Sequence, residues 1–301
     1  MATSIVGFND VRLTQKMIGA LKADLIAADA VSFSPDLGEG NAGLTKGDII
    51  RVPVMGAATA TTRVLGAAGV SGGSGSVVPV TLADPLSAQW DTIDGATKPG
   101  TFEALAVEHT HALAKSALDA IFAVVLAANF GNADTDKLVC GIADWDQSQL
   151  GLAQAKAVAK KIGKEKALVL NGAYASKLVT GSTLGLILAT RGDDSINTGI
   201  LPPLMGMKSY MYSDLPDNSQ NLVGLITGKS AIAAGMAPVL AQAQAGQGDL
   251  VFEQILVDPA TKIAMTYRVW YKADEGRLFG RVELMLTAVK VQDALIRILS
   301  A

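Results

Sequence analysis

The sequence is poor in the residues that most often build covalent or catalytic sites. It has one cysteine, Cys140, and two histidines, His109 and His111, in 301 residues. A single cysteine excludes an intrachain disulfide and the cysteine clusters of structural zinc sites. This cysteine usage is typical of a reducing compartment.

Charged residues are also scarce, at 18% of the chain against about 25% in a typical protein. The net charge is −3, so no excess of positive charge indicates direct nucleic-acid binding. Hydrophobic residues make up 50% of the chain, and the mean hydropathy is +0.33. We therefore expect a large core or a large surface buried against neighbouring molecules.

Targeting and membrane segments are not evident. The N-terminal MATSIVGFND lacks the basic and apolar regions of a signal peptide. The apolar run after Asp119 extends for about a dozen residues, whereas a membrane-spanning helix needs roughly 20. The sequence therefore predicts no membrane partner.

The longest helical pattern in the chain covers residues 102–129. Its apolar residues, such as Leu118 and Ile121, recur at spacings of three and four and form one stripe. Thr101 is a suitable N-cap, and Asn129 is of a type that can end a helix. A straight helix of this length is on the order of 40 Å long and can act as a spine for other segments.

The first 46 residues predict an N-terminal arm. Leu13, Met17, Leu21 and Leu25 lie at spacings of four on one helical face. Residues 31–46 are rich in turn-forming residues and show no period. Because the arm has too little apolar surface to fold by itself, we expect neighbouring molecules to order it.

Residues 47–85 predict a β-hairpin that projects from the body. Its strands contain Pro53 and Pro79, which restrict both to edge positions. Residues 71–76 between them are SGGSGS, a flexible composition. An isolated two-stranded hairpin is marginally stable in water, so we predict that it contacts neighbouring molecules and not its own body.

After the spine, alternating elements predict an α/β unit at residues 141–240. It comprises a helix at 148–162, a strand at 166–170, a helix from Ala173, the strands MKSYMYS and LVGLIT, and a short helix at 229–235.

The C-terminal part predicts an antiparallel sheet. Residues 250–291 carry three extended segments separated by turns, and the middle segment alternates in a way that indicates two different faces. The last ten residues predict a short closing helix or strand.

Residues 222–230, LVGLITGKS, are the best candidate for a nucleotide site, because a strand runs into Gly-Lys-Ser. A phosphate-binding loop needs the pattern G-x-x-x-x-G-K-[ST] to wrap backbone N–H groups around the phosphates. Here only three residues separate Gly224 from Gly228, one too few. The alternative is a strand, a turn at Gly228, and a helix that begins near Ser230.

Two other motifs resemble catalytic or metal sites. Residues 69–73, GVSGG, match the G-x-S-x-G of hydrolases, but Ser71 lies at a flexible tip and not between a strand and a helix. Glu108, His109 and His111 are metal-ligand types, but a helical zinc pair needs a spacing of four residues. Positions two apart on a helix point to different faces.

Neither remaining motif indicates a site. Arg191-Gly192-Asp193 spells an adhesion tripeptide without supporting context, and Trp145 is predicted to be a packing residue at a loop. We therefore predict no catalytic, cofactor-binding or metal-binding residues, and no cofactor.

The order of the segments resembles the major capsid protein of tailed bacteriophages, the Hong Kong 97-type fold. The likeness rests on GDIIRVPV with the glycine-rich tip, FEALAVEHTHALAKSALDAIFAVVLAAN, KALVLNGAYASKLV, MGMKSYMYSDLP, LVGLITGKSAIAAG and DLVFEQILVDPATKIAMTYRVWYKADEGRLFGRVELM. It implies an α+β fold with an N-terminal arm (1–46), an extended loop (47–85), a peripheral domain (86–140 and 241–301) that holds the spine helix, and an axial domain (141–240).

The resemblance implies a structural protein without enzymatic activity. Its copies would form pentamers and hexamers and assemble, in the host bacterial cytoplasm, into an icosahedral virion capsid. The shell would enclose double-stranded DNA without sequence-specific binding, and scaffolding, portal or decoration proteins are candidate partners. An encapsulin-like nanocompartment shell is the alternative with the same fold, and a nucleotide-binding enzyme is the alternative from another class.

Two features depart from the family pattern. Some members begin with a helical scaffolding segment, whereas the arm here starts almost at Met1, so we expect a separate scaffold or none. Some members also cross-link a lysine of the extended loop to an asparagine of a neighbour. Residues 55–80 contain no lysine, and Lys46 lies at the base of the loop, so we expect no covalent mesh of that kind.

Overall fold

The structure, a computed structural model, describes residues 10–35, 47–55, 75–93, 100–163, 165–180, 200–239, 249–257 and 264–301. These residues form an α+β fold with two six-stranded sheets and a separate two-stranded sheet. In chain order the elements are α1 (Asp10–Asp24), a 3-10 helix (Leu25–Ala30), β1 (Ser32–Pro35), β2 (Ile49–Met55), β3 (Gly75–Thr81), β4 (Leu86–Ile93), α2 (Thr101–Phe122), α3 (Ala127–Phe130), β5 (Lys137–Val139), α4 (Gln147–Ala159), β6 (Lys166–Leu170), α5 (Gly172–Thr180), β7 (Ile200–Leu204), β8 (Met207–Met211), β9 (Leu222–Gly228), β10 (Ile232–Ala237), β11 (Asp249–Val257), β12 (Ala264–Lys272), β13 (Arg277–Lys290) and β14 (Leu295–Leu299).

The spine helix is present as α2, but it is shorter than the sequence predicts. It ends at Phe122, and α3 is a separate short helix, so the predicted span of 102–129 is wrong at its C-terminal end. The N-cap is Gly100, with φ of 89°, and not Thr101, a difference of one residue. Side chains from a distant loop bind the backbone where the helix stops.

The first sheet has the strand order β1-β10-β13-β12-β11, and β4 also pairs with β13. Strands β11, β12 and β13 pair antiparallel, which confirms the three segments predicted at 250–291. The sequence prediction missed β4, although Leu86, Ala88 and Trp90 alternate with polar residues. It also missed β1, because residues 31–46 were expected to be irregular.

The predicted short helix at 229–235 is wrong. A turn at Lys229 and Ser230 leads into β10, which pairs parallel with β1 and antiparallel with β13. All six residues of β10 are buried. Sheet neighbours on both sides therefore outweigh the helix propensity of its alanines.

The second sheet has the order β5-β14-β9-β6-β8-β7, and α4 and α5 pack on it around Trp145, Leu168 and Ile298. The closing segment is thus a strand, β14. It lies in the second sheet although the sequence placed it in the domain of 241–301, and β10 lies in the first sheet although the sequence placed it in 141–240. Strand β5 also lies in the second sheet although the sequence placed it in 86–140, so the predicted boundaries differ from sheet membership at these three strands.

The spine helix packs between the arm and the first sheet. Leu13, Met17 and Leu21 of α1 are at most 2% exposed and share one core with α2 and with Tyr267 of β12. The expectation that neighbouring molecules order the arm is therefore wrong for residues 13–31. None of the helices in the described residues is long and apolar enough to cross a membrane.

Candidate assembly surface

Strands β2 and β3 pair antiparallel from Ile49↔Thr81 to Met55↔Gly75, which confirms the predicted hairpin. One face of the hairpin base lies on the first sheet. Its residues are at most 3% exposed and cluster with β10 and β13; they are Ile50, Val52, Val80 and Leu82, against Ala233, Ala237 and Met285. The prediction that the hairpin does not contact its own body is wrong for this face, which we call the seat.

Small residues of β10 allow the hairpin base to pack closely against the first sheet. A Cβ added at Gly235 would lie 3.2 Å from Val80 Cγ1 and 3.3 Å from Ile50 Cδ1, which is tight for carbon atoms. The Ala83 N–H donates to Thr287 Oγ1 of β13 at 2.9 Å and fixes the strand end over the sheet. The hairpin base is therefore held by its own subunit through packing and through the polar contact of Ala83.

The opposite face of the hairpin base, which we call the outer face, is open. Ile49 is 56% exposed and Val77 is 59% exposed, and Arg51, Pro79 and Thr81 are exposed beside them. Side chains alternate along strands, so the seat and the outer face are the two sides of one ribbon. The outer face thus carries apolar surface that the described part of its own subunit leaves uncovered.

Strand β11 forms one edge of the first sheet and also exposes apolar side chains. Leu250 is 58% exposed, Val251 is 42% exposed and Ile255 is 39% exposed. The pairing with β12 is irregular between Leu250 and Phe252. An edge strand presents unpaired backbone N–H and C=O groups to any partner that lies beside it.

Between the seat and β11, the same side of the first sheet carries an ion-pair network. Arg268 lies 3.2 Å from Glu253 and 3.1 Å from Glu283, and Arg281 lies 3.2 Å from Glu283. Arg281 also donates to Gln89 Oε1 at 2.7 Å. Two arginines thus face two carboxylates, so this network presents no excess positive charge to a nucleic acid.

The two glycines of LVGLITGKS serve packing within β9. A Cβ added at Gly224 would lie 2.6 Å from Leu170 Cδ2, and one added at Gly228 would lie 3.0 Å from Ile162 Cγ2. Glycine at both positions therefore allows close contact with neighbouring elements, a packing role unrelated to phosphate.

The lysine and serine of the motif have partners inside the subunit. Lys229 Nζ lies 3.6 Å from Asp29 Oδ1, and Ser230 Oγ donates to Gln292 Oε1 at 2.8 Å. A turn and a strand follow β9, so this segment offers no helix N-terminus to a phosphate group. The helix start expected near Ser230 is wrong, and the geometry argues against nucleotide binding.

The two histidines have different environments on α2. His109 Nδ1 lies 2.8 Å from Leu105 O, and its ring lies against Trp90, whereas His111 pairs with Asp24 of α1. In the part of the chain that the structure describes, no group of three or more His, Cys, Asp or Glu side chains is arranged to hold a metal ion.

The remaining candidates are packing residues or lie outside the described residues. Trp145 is fully buried, and its ring centroid lies 5.6 Å from that of Tyr174, which confirms its predicted packing role. Burial raises the pKa of the Cys140 thiol, as do the nearby aspartates, so this thiol has little nucleophilic thiolate. The 69–73 and 191–193 motifs and Lys46 are outside the described residues.

No protein-family model matches the chain, and no curated protein matches its sequence. Solved structures do match its fold. A chain from the capsid of Ralstonia phage GP4 aligns with a TM-score of 0.54 at 11% identity, covering 89% of this chain and 86% of that one. A chain from the mature capsid of bacteriophage PhiM1 aligns with a TM-score of 0.52 at 10% identity, covering 91% and 86%.

This is a phage capsid fold. The match confirms the fold class that the order of segments predicts. Within the described residues, apolar side chains are exposed at the outer face of the hairpin and on β11. They are also exposed on α4, where Leu152 is 50% exposed and Val158 is 57% exposed.

Sequence reasoning identified the hairpin but missed the open residues of β11 and the ion-pair network. The apolar and charged residues of β11 were visible in LVFEQILVD. Their edge position and their pairing with Arg268 depend on strand order and register, which one sequence does not specify.

Proposed function

We propose that this chain is a phage major capsid protein. Its copies form pentamers and hexamers and assemble into a closed icosahedral shell around double-stranded DNA. The observation that carries the proposal is the fold match to two phage capsids over 89% and 91% of the chain. The open apolar surfaces support it, because contacts between copies would bury them.

We also infer that the role is structural, without enzymatic activity. The packed glycines of LVGLITGKS and the internal partners of Lys229 and Ser230 support this. The net charge of −3 favours a shell that encloses DNA over one that binds it by sequence. Assembly would take place in the host bacterial cytoplasm, with scaffolding, portal or decoration proteins as candidate partners, and the product would be the virion capsid.

Electron microscopy of the purified protein tests the proposal. We expect closed shells with icosahedral symmetry, and particles from infected cells should contain nuclease-protected double-stranded DNA. Shells that contain protein cargo and no DNA would instead indicate a nanocompartment. A chain that stays monomeric by light scattering at high concentration, across salt and pH, would contradict assembly altogether.

Nucleotide binding is tested separately by calorimetry with ATP. We expect no binding, and Lys229→Ala should behave as the unmodified chain does. Micromolar ATP binding that disappears in Lys229→Ala would contradict the structural role and favour the enzyme alternative.

A further inference from the structure

No proline or glycine marks the break between α2 and α3. Residues 117–128 contain neither proline nor glycine, and their apolar pattern favours a helix throughout. Nevertheless α2 ends at Phe122 and α3 begins at Ala127. One side-chain contact at the break is local, since Asn129 Nδ2 donates to Val124 O at 2.7 Å, and further contacts come from elsewhere in the chain.

The loop of residues 217–221 supplies these contacts on one side of the break. Asn218 Nδ2 donates to Phe122 O and to Val125 O, each at 2.9 Å. In a continuous helix both carbonyls would accept from backbone N–H groups four residues further on. Phe122 O also accepts from the Val125 N–H at 3.0 Å, so the Asn218 amide gives that carbonyl a second bond. It also supplies a donor to Val125 O, which the break leaves without its helical one.

Gln220 acts on the other side of the break. Its Oε1 accepts from the Ala127 N–H at 3.0 Å, a donor that a continuous helix would direct to Ala123 O. The same oxygen accepts from the guanidinium of Arg297 in β14, which also donates to Gly131 O. Arg297 is 1% exposed, so these contacts are anchored in the second sheet.

The backbone of the loop is held in an unusual conformation. Asn218, Ser219 and Asn221 have φ of 52°, 56° and 54°, in the left-handed region that non-glycine residues seldom adopt. Such conformations persist only where surrounding contacts maintain them, and they cluster at switch regions. The contacts with the helix end are therefore part of what maintains this loop.

We propose that Asn218 and Gln220 form a clasp that holds the spine helix short, and that opening the clasp lets α2 extend through residues 123–126. The local sequence favours the extended state, and the clasp favours the broken one. Because the clasp is attached to β14 through Arg297, the length of the spine helix is coupled to the position of the second sheet. This inference concerns one subunit and holds whether or not the chain forms shells.

The test is hydrogen exchange of the double variant Asn218→Gly, Gln220→Ala in the unassembled subunit. Glycine keeps the left-handed backbone at position 218 available. Without the clasp, amides of residues 124–127 should acquire helical acceptors, and their exchange should slow by roughly tenfold. The ¹³Cα shifts of residues 123–126 should move to helical values in parallel.

The matched control is Asn221→Gly, which changes the same residue type at a similar φ in the same loop, where the side chain is exposed. It should leave exchange at residues 123–127 unchanged. Faster or unchanged exchange in the double variant, with non-helical shifts, would show that packing and not the clasp sets the break. If the double variant does not fold, Asn218→Gly alone is measured, and the same outcomes decide.

Discussion

The arm and the hairpin look alike in the sequence but differ in how they join the subunit. Both lack enough apolar surface to fold alone. In the described residues, the arm buries Leu13 and Met17, both 0% exposed, in the core that holds the spine helix. The hairpin buries only its seat, a separate small cluster, and leaves Ile49 and Val77 more than half exposed.

The difference shows two ways in which a subunit can stabilise an element that has no core of its own. The arm packs into the main core, whereas the hairpin packs through one face and leaves the other face exposed. The arm packs into the main core, so a destabilising substitution there should lower the stability of the whole subunit. The hairpin base lies on the surface of the first sheet, so a destabilising substitution in the seat should loosen the hairpin and leave the rest of the subunit stable. The outer face should matter only when another molecule covers it.

The largest effect is expected in the arm. Leu13→Ala should reduce the free energy of unfolding of the subunit by about 2–5 kcal/mol, because it leaves a cavity in the main core. Chemical denaturation of the unassembled subunit measures this. Gln15→Ala, at an exposed position of the same helix, is the control and should change stability by less than about 0.5 kcal/mol. Equal effects of the two variants would place the arm outside the core.

A smaller and local effect is expected in the seat. Val80→Ala should weaken the hairpin contact by about 1.5–3 kcal/mol, so amides of residues 49–54 and 77–82 should exchange faster while the spine helix stays protected. Val77→Ala, which changes the same residue type on the outer face, should leave exchange nearly unchanged. If Val80→Ala lowers protection of α2 equally, the seat is part of the main core and the comparison fails.

The extent to which the sequence predicts this fold depends on where the determining contacts lie. The strand at 166–170 and the three strands of 250–291 follow from periodicity within each segment, and the structure confirms them. The end of α2 was mispredicted because Asn218 and Gln220, about ninety residues away in sequence, supply the contacts that stop it. Strand β10 was mispredicted because its alanines favour a helix until β1 and β13 pair with them.

The candidate assembly surface was predictable only in part. The hairpin and its small tip residues are visible in the composition. Which face is buried depends on Gly235 and the other small residues of β10, which the sequence prediction assigned to a helix. The location of this surface therefore depends on the order of strands in the first sheet, which the sequence alone does not specify.

A weak pH effect is expected where the arm meets the second sheet. Burial raises the pKa of Asp29, but hydrogen bonds from Tyr210 and Lys208 outweigh burial, and the pKa is lowered overall. A lowered pKa stabilises the fold above the unfolded-state value of about 4, and this stabilisation is lost as pH falls through the folded-state value. Asp29 is half exposed, so the effect should stay below about 1 kcal/mol.

Thermal unfolding between about pH 3 and pH 7 measures this contribution, with Asp29→Asn as the variant. The variant should lose less stability than the unmodified chain as the pH falls, because residue 29 no longer titrates. A variant whose stability falls as steeply as that of the unmodified chain would show that Asp29 contributes nothing to the attachment of the arm.

The smallest effect on the subunit, and the sharpest contrast, is expected at the outer face of the hairpin. The double variant Ile49→Asp, Val77→Asp should change the free energy of unfolding of the unassembled subunit by less than about 1 kcal/mol, because both side chains are exposed. Shell yield, measured by light scattering and electron microscopy, should nevertheless fall strongly, since two buried carboxylates would oppose contact between copies. Thr81→Asp adds charge on the same face without removing an apolar side chain and should reduce yield less. Normal shells from the double variant would show that the outer face stays open after assembly, and the exposed apolar side chains of β11 and α4 would then be the next surfaces to test.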